Sequence, residues 1–405
     1  MEHLTRGPSH RPSTPALTRR DLLIATGLGV TAPAWAPAVR WAGAVPRTLR
    51  RGDLDTEIRA LMREARVPGL AACIVKDGAI AWEHGYGHAN IARDRPATPE
   101  TLFMLASISK TVMAVAVMQA VEDGLLNLDA DVNDVVPFSV RNPRHADTPI
   151  TLRMLLTHTS SIRDDWPTII PFYSHGDSPI ALGNYLRRYL VPGGDLYAPH
   201  KSYAGWTPGA RYDYCNLAAA LAGFMVEAAS GTAFDAWCDE RIFTPLAMQR
   251  TGWHLEGLDR SQIAMPYHFR DGAFVAYGQY GYPDYPDGEL RTSARQLAHH
   301  LVAFMQFGEY AGTRILQEAT VREMRRVQNA DVGHGQGLIW YRSALRGMSL
   351  LGHNGGDSGV ATQMYFRPKD NVGVIALSNG NWFHDGRVWP LQRIVVRLFE
   401  EADAG

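Results

Sequence analysis

The sequence predicts one α/β (α+β) unit: an antiparallel sheet assembled from the two ends of the chain and flanked by helices, with a mostly helical segment inserted between them. Three observations carry this. Apolar runs of strand length lie near both ends, within residues 69–87 and 350–380. Helical periodicity punctuated by glycine stops fills the stretch between. An amphipathic segment precedes the first strands and another, Val388 to Glu400, follows the last.

The elements follow in order. The first fifty residues read as an address label. A polar leader ends in LTRRDLL, then come a short apolar stretch from Leu22 to about Val30 and the small-residue choices TAPAWAPA and AGA. Arg19 and Arg20 make residues 1–45 similar to a twin-arginine export signal, so the expected location is outside the cytoplasm. A lasting membrane span is not expected, because spanning needs roughly 20 apolar residues and glycine, threonine and proline dilute this run.

The folded unit is expected over 52–400, its α/β part at 52–97 and 296–400 and its helical part at 98–295. DLDTEIRALMREAR places Ile58, Leu61, Met62 and Ala65 on one helical face, with Asp53 or Asp55 as cap. GLAACIVKDGAIAWEHGYG reads as a hairpin turning at Lys76-Asp77-Gly78. TVMAVAVMQAVEDG predicts a helix stopped at Gly124, TLRMLLTHTS one capped by threonine, and NLAAALAGFMVEAASG one ended by glycine. The stretches around 163–205 and 270–290, rich in Pro, Gly, Tyr and Trp, read as long loops of the kind that wall a site, with Trp166, Tyr173, Tyr203, Tyr280 and Tyr285 as candidate wall residues. Three strands follow, over residues 350–356, VATQMYFRP and DNVGVIALSNG.

Composition narrows the partners. Of 405 residues, 46% are hydrophobic and 20% charged, with a net charge of -1, so no broad attraction to nucleic acid or an anionic membrane is expected. A small-molecule or peptide substrate is the expected partner. Cys73, Cys215 and Cys238 show no disulfide or metal spacing and read as buried small hydrophobes. The histidines, including His299-His300, lack metal-ligand spacing, so no metal and no cofactor is expected.

Three short segments carry chemistry. In LASISKTVMAV, Ser107 and Lys110 stand three apart at a helix start. An amine can share a face with the hydroxyl there, and unpaired N–H groups favour negative charge. The chain has four lysines in all, Lys76, Lys110, Lys201 and Lys369, so a lysine at 110 is not background. In Tyr214-Cys215-Asn216, alternation points Tyr214 and Asn216 together and Cys215 into the core, although Asn216 also fits a plain helix cap. His353-Asn354-Gly355-Gly356 lies on a predicted strand whose glycines permit close approach of a substrate.

In this order and spacing, and with the supporting stretches PATPETLFMLASISK, ITLRMLLTHTSSI and LRTSARQLAHHL, the three segments resemble the penicillin-recognising serine hydrolases. That group comprises class C β-lactamases, D-alanyl-D-alanine peptidases of the same fold and related esterases. The resemblance spans about residues 54–398 and implies a serine β-lactamase/transpeptidase-like fold. It implies that Ser107 forms an acyl-enzyme while Lys110 and Tyr214 share the proton traffic. The backbone N–H groups of Ser107 and Gly356 would form the oxyanion hole; Asn216, His353, Asn354 and Gly355 would bind substrate. Whether Lys110 or Tyr214 is the base stays open.

One departure bears on substrate. Class C β-lactamases carry Lys-Thr-Gly in the third motif, where this chain has His353, Asn354 and Gly355. A neutral imidazole attracts a carboxylate less than an ammonium does. The expected function is therefore an exported D-amino-acid peptidase, carboxypeptidase or esterase. The alternatives are a class C-like β-lactamase, or a low-turnover protein that binds penicillin or cell-wall fragments.

Overall fold

The computed structural model describes residues 51–333, 335–381 and 389–404; the leader expected at 1–45 lies outside the described residues. Helix α1 (Arg51–Ala65) leads into β1 (Gly69–Lys76) and β2 (Ala79–Asn90), joined where Asp77 and Gly78 take φ values of 54° and 76°. Two consecutive positive-φ residues are what a tight two-residue hairpin needs, and Asp-Gly supplies them. A short β3 (Arg95–Pro96) follows. The principal helices of the inserted body are α2 (Ser109–Glu122) and α3 (Asn216–Ser230), and α4 (Ala294–Met305) returns the chain to the sheet. Strands β4 (Tyr341–Leu345), β5 (Met348–Asp357), β6 (Val360–Arg367) and β7 (Val372–Ser378) precede the closing helix α5 (Trp389–Ala404).

The seven-stranded sheet runs β4-β5-β6-β7-β1-β2-β3, every neighbouring pair antiparallel. Its closure joins the chain's two ends: β1 pairs with β7, Leu70 opposite Ser378 and Val75 opposite Gly373. Both faces of β1 are covered, which explains its unbroken apolar run. Leu70, Ala72 and Ile74 pack toward α1 and α5 with Ile58, Ile394 and Leu398, whereas Ala71, Cys73 and Val75 face the opposite core with Leu301 of α4. That second core continues without a break into α2 and α3. Helix α2 is buried on all sides, so it shows no polar stripe. All three cysteines are free and buried. Among the described residues no single helix is long and apolar enough to cross a membrane.

Some elements depart from expectation. Strand β4 has no counterpart in the sequence reading: its half-buried alternation is a weak signal, and it sits at the sheet edge. The stretch expected as loop at 163–205 holds helices, the longest Leu182–Leu190, whose Leu182, Tyr185, Leu186, Tyr189 and Leu190 are buried at helical spacing. The 270–290 stretch begins inside a small hairpin, Tyr267–Arg270 with Ala273–Ala276. In both stretches the turn residues dominate the local pattern, and tertiary packing overrides them.

Candidate active site

The site forms where the turn before α2 meets the start of α3 and strand β5. Ala106 has φ 48°, a left-handed value that L residues adopt at a cost of about 1–2 kcal/mol. A short 3₁₀ turn, Ala106–Ile108, then presents Ser107 ahead of Ser109, where α2 begins. This strained turn is clamped from both sides. Leu105 N donates to Leu290 O at 2.8 Å, and Thr362 of β6 donates to Leu105 O at 2.6 Å. Thr362 pairs with Gly355 across the sheet. A Cβ at Gly355 would collide with the Leu105 carbonyl and lie 3.0 Å from Ser107 N. Glycine is therefore needed there for β5 to close on the serine turn.

Lys110 is fully buried, and its ammonium meets three acceptors. Ser107 Oγ lies at 3.1 Å, Asn216 Oδ1 at 2.6 Å and the Asp287 carbonyl at 2.7 Å, with the Asp287 carboxylate at 3.9 Å. Burial pushes the ammonium down, but Tyr214, Asp287 and Asp164 carry it above the ordinary lysine value. The ring of Tyr214 stands 5.2 Å from Lys110 Nζ, and its hydroxyl is buried without a hydrogen-bond partner. Burial raises the phenol, and the opposing pull of Lys110 and Ser107 does not cancel this. At neutral pH the resting pair is thus ammonium and phenol, and the fraction with a free basic lone pair grows as pH rises.

Tyr214 is held by His158, whose ring lies 4.3 Å away and whose Nδ1 accepts the Cys215 N–H at 3.3 Å. Burial, Lys110 and His353 keep His158 neutral, well below the ordinary histidine value. Cys215 is buried, as alternation predicted, and is the actual cap of α3: its Sγ accepts from Ala218 N at 3.3 Å. Asn216 is instead the first helical residue, with its side chain on Lys110.

His353 sits 6.4 Å from the Tyr214 ring, and its Nδ1 faces the Asn354 carbonyl at 2.6 Å. A nitrogen facing a carbonyl must carry the proton, which leaves Nε2 as a lone-pair acceptor. Burial pushes this imidazole down to about 3, so the third motif brings no cation. Strand alternation puts His353, Gly355 and Asp357 on the face toward Ser107, and Asn354 and Gly356 on the other. Asn354 thus contributes its carbonyl to His353 while its side chain is half-buried.

Of the aromatic candidates, Tyr173 and Tyr280 gather with Tyr282 around Met104 and Ala106, beside the serine turn. Asp357 adjoins these tyrosines; burial lifts its carboxyl to about 6. Tyr203 is buried and donates to Leu190 O, and Tyr285 packs on Phe234 and Trp253; both are core. Trp166 is half-buried against the core.

Sequence reasoning missed Asp164, Asp287 and His158. Asp164 and Asp287 lie in the acidic stretches RDDWP and DYPDGE, and His158 in THTSS, and none of these shows locally which partner it meets. The fold also brings the donor atoms of Asp177, His254 and Glu289 within 4.8 Å of one another. Both Asp177 oxygens accept backbone N–H groups and Arg291 stands 3.7 Å from Glu289, so a cation there would compete with a guanidinium already in place.

The antiparallel sheet flanked by helices is the fold shared by serine β-lactamases and penicillin-binding proteins. The chain belongs to the Beta-lactamase family, whose model matches residues 54–396. Protein flp of Staphylococcus aureus (strain NCTC 8325 / PS 47) is 23% identical over 332 residues, covering 81% of this chain and 63% of flp. The chain therefore spans less than two thirds of that relative. Among solved structures, the octameric penicillin-binding protein homologue from Pyrococcus abyssi gives a TM-score of 0.66 at 25% identity, over 86% of this chain and 77% of that one. The D-amino acid amidase from Ochrobactrum anthropi SV3 gives 0.69 at 20% identity, over 86% and 99%. EstCE1, a hydrolase with promiscuous acyltransferase activity, gives 0.65 at 19%, over 87% and 99%. The last two show likeness of fold.

Proposed function

We propose that this protein is a serine hydrolase that cleaves an amide or ester through an acyl-enzyme at Ser107, of the D-amino-acid peptidase or esterase type. The observation that carries the reading is the Lys110 ammonium, fully buried and 3.1 Å from Ser107 Oγ. A serine hydroxyl is a weak nucleophile until a neighbouring base takes its proton. In the proposed sequence, Ser107 attacks the carbonyl as its proton passes into the Lys110–Tyr214 pair, and the backbone N–H groups of Ser107 and Gly356 receive the oxyanion. The proton then returns to the leaving group, and water releases the acyl chain.

The neutral His353 and the nearby Asp287 and Asp357 favour substrates without a free carboxylate, which makes the class C-like β-lactamase, carboxypeptidase and penicillin-capture readings the weaker ones. Intact-mass analysis after brief exposure to a neutral activated ester is expected to show one acyl adduct, mapped to the peptide containing Ser107, with little or no adduct from penicillin. A penicillin adduct formed as fast as the ester adduct would restore the β-lactam reading, and an adduct at another residue would remove the present one.

Export through the Arg19-Arg20 leader is part of the proposal and is supported by the sequence pattern alone. Fractionation of cells expressing the full chain is expected to recover a shortened mature form outside the cytoplasm, and Arg19→Lys with Arg20→Lys to retain it inside. Equal export of both forms would refute the twin-arginine assignment.

A further inference from the structure

Asp164 makes four hydrogen bonds to the start of α3. Its Oδ2 accepts from Asn216 N at 2.8 Å and Asn216 Nδ2 at 2.9 Å; its Oδ1 accepts from Leu217 N at 3.1 Å and Cys215 Sγ at 3.2 Å. The backbone bonds cap a helix whose first N–H groups have no internal partner. The bond to Asn216 Nδ2 does something a cap does not need. An amide has a donor end and an acceptor end. With its donor end held by a carboxylate, the acceptor Oδ1 must face Lys110, where it is found at 2.6 Å. The flipped amide would set Nδ2 against the ammonium and Oδ1 against the carboxylate, both repulsive.

The consequence falls on the lone pair of Lys110. An ammonium has three protons, and here each has an acceptor: Asn216 Oδ1, the Asp287 carbonyl and Ser107 Oγ. The first two can only accept. When Lys110 loses a proton, its two remaining protons stay on those oxygens and the lone pair is left directed at Ser107 Oγ. A flipped Asn216 would offer an N–H in place of the oxygen and draw the lone pair away from the serine.

We propose that Asp164 is a positioning residue that aims Lys110 at Ser107 by fixing the orientation of the Asn216 amide. The proposal rests on Ser107 being the acylated residue. The loop carrying Asp164 is itself anchored: Asp165 N donates to Tyr189 Oη at 2.8 Å, and Lys201 pairs with Asp165 at 3.1 Å. The carboxylate is therefore presented by a fixed backbone, and the loop leading to Trp166 and the catalytic amide share one contact.

The test is a cycle of Asp164→Asn, Asn216→Asp and the double variant, read as acylation rate of Ser107 by a neutral activated ester across pH 6–10, with thermal stability alongside. Asp164→Asn keeps an oxygen for the Leu217 N–H but turns a donor toward the backbone and side-chain N–H groups of Asn216. The expected result is a fall of roughly 30-fold or more in the high-pH plateau of the rate, carried by the acylation step and not by substrate affinity. In the double variant, the amide introduced at position 164 can donate to the carboxylate introduced at position 216, whose other oxygen accepts from Lys110. The plateau is expected to recover by at least tenfold over Asp164→Asn, with the pH limb displaced upward by the new charge beside the ammonium.

Loss of the Asp164 charge alone would shift the limb to lower pH and leave the plateau intact. Loss of the cap alone would lower the melting temperature and leave the plateau intact, and either pattern overturns the proposal. So does a double variant no faster than Asp164→Asn. A wild-type chain that forms no Ser107 adduct overturns the proposed function and this inference together, whereas a wild type that acylates beside an Asp164→Asn variant that acylates equally well overturns this inference alone.

Discussion

Ser107→Ala, Lys110→Met and the double variant will converge on one residual rate, roughly 10⁴-fold or more below the wild type in kcat/KM, instead of multiplying their losses. The reason is the geometry of the buried ammonium. Lys110 has no exposed surface and its third hydrogen bond goes to Ser107 Oγ, so the proposed nucleophile and proton acceptor would work as one device. Removing either removes the other's use. Methionine matches the length of the lysine stem without the charge, and Asp287, whose carboxyl burial already raises and Lys110 lowers, can take up a proton when the ammonium is gone. The variant is therefore expected to fold, which circular dichroism and a melting curve check.

Tyr214→Phe serves as the comparison. The Tyr214 hydroxyl is buried beside the pair and feels both Lys110 and Ser107, so it is placed to relay a proton to the leaving group. A Lys110→Met variant within tenfold of wild type, paired with an inactive Tyr214→Phe, would move the role of base from the lysine to the tyrosine. Losses that multiply in the Ser107/Lys110 double variant would refute the coupling.

Arg291→Met is expected to cost about 3–5 kcal/mol of stability, measured as a lowered midpoint in guanidinium unfolding at pH 7. Arg291 is fully buried and donates to the carbonyls of Trp253 and Glu289 at 3.1 Å and of Tyr280 at 2.5 Å. It also stands against the buried Glu289 carboxyl at 3.7 Å. Its backbone pairs with Met104, on the approach to the serine turn, and with Gly252. One side chain thus ties the Trp253 and Tyr280 segments to the stretch that pairs with Met104, and methionine leaves the three carbonyls without a donor.

The pH dependence adds a second readout. Burial lifts Glu289 to about 8 while Arg291 pulls it down. Because the folded value lies above the unfolded one, the stability contributed by the protonated carboxyl is lost as pH rises through about 8. Without Arg291 the folded value climbs further, so the variant's deficit widens above pH 8, where the wild-type carboxyl ionises beside the guanidinium. A midpoint unchanged at both pH 7 and pH 9 would mean that water serves the three carbonyls.

Much of the fold was legible because its signals are local. The Asp77-Gly78 turn, the glycine stop after α3 and the unbroken apolar run of β1 each report the conformation or burial of a few adjacent residues. Strand β4 and the helix at Leu182–Leu190 were not legible, the first because an edge strand needs little apolar surface, the second because Pro and Gly on both sides masked a regular helical spacing.

The sequence by itself determined which groups are available to the chemistry: a serine and a lysine three apart at a helix start, a tyrosine and an asparagine alternating before another, and a histidine where a related motif has lysine. These are short-range facts, set by helix and strand periodicity. Tertiary structure alone decided their chemical state. Packing of α2 against the start of α3 and the turn at Asp287 buried Lys110, and Asn216, 106 residues further along the chain, and Asp287, 177 residues further, supplied the acceptors that direct it. Burial also made His353 neutral and gave Asp164 its hold on Asn216. Protonation and hydrogen-bond direction depend on distances of a few ångströms between remote segments, and no local pattern encodes those distances.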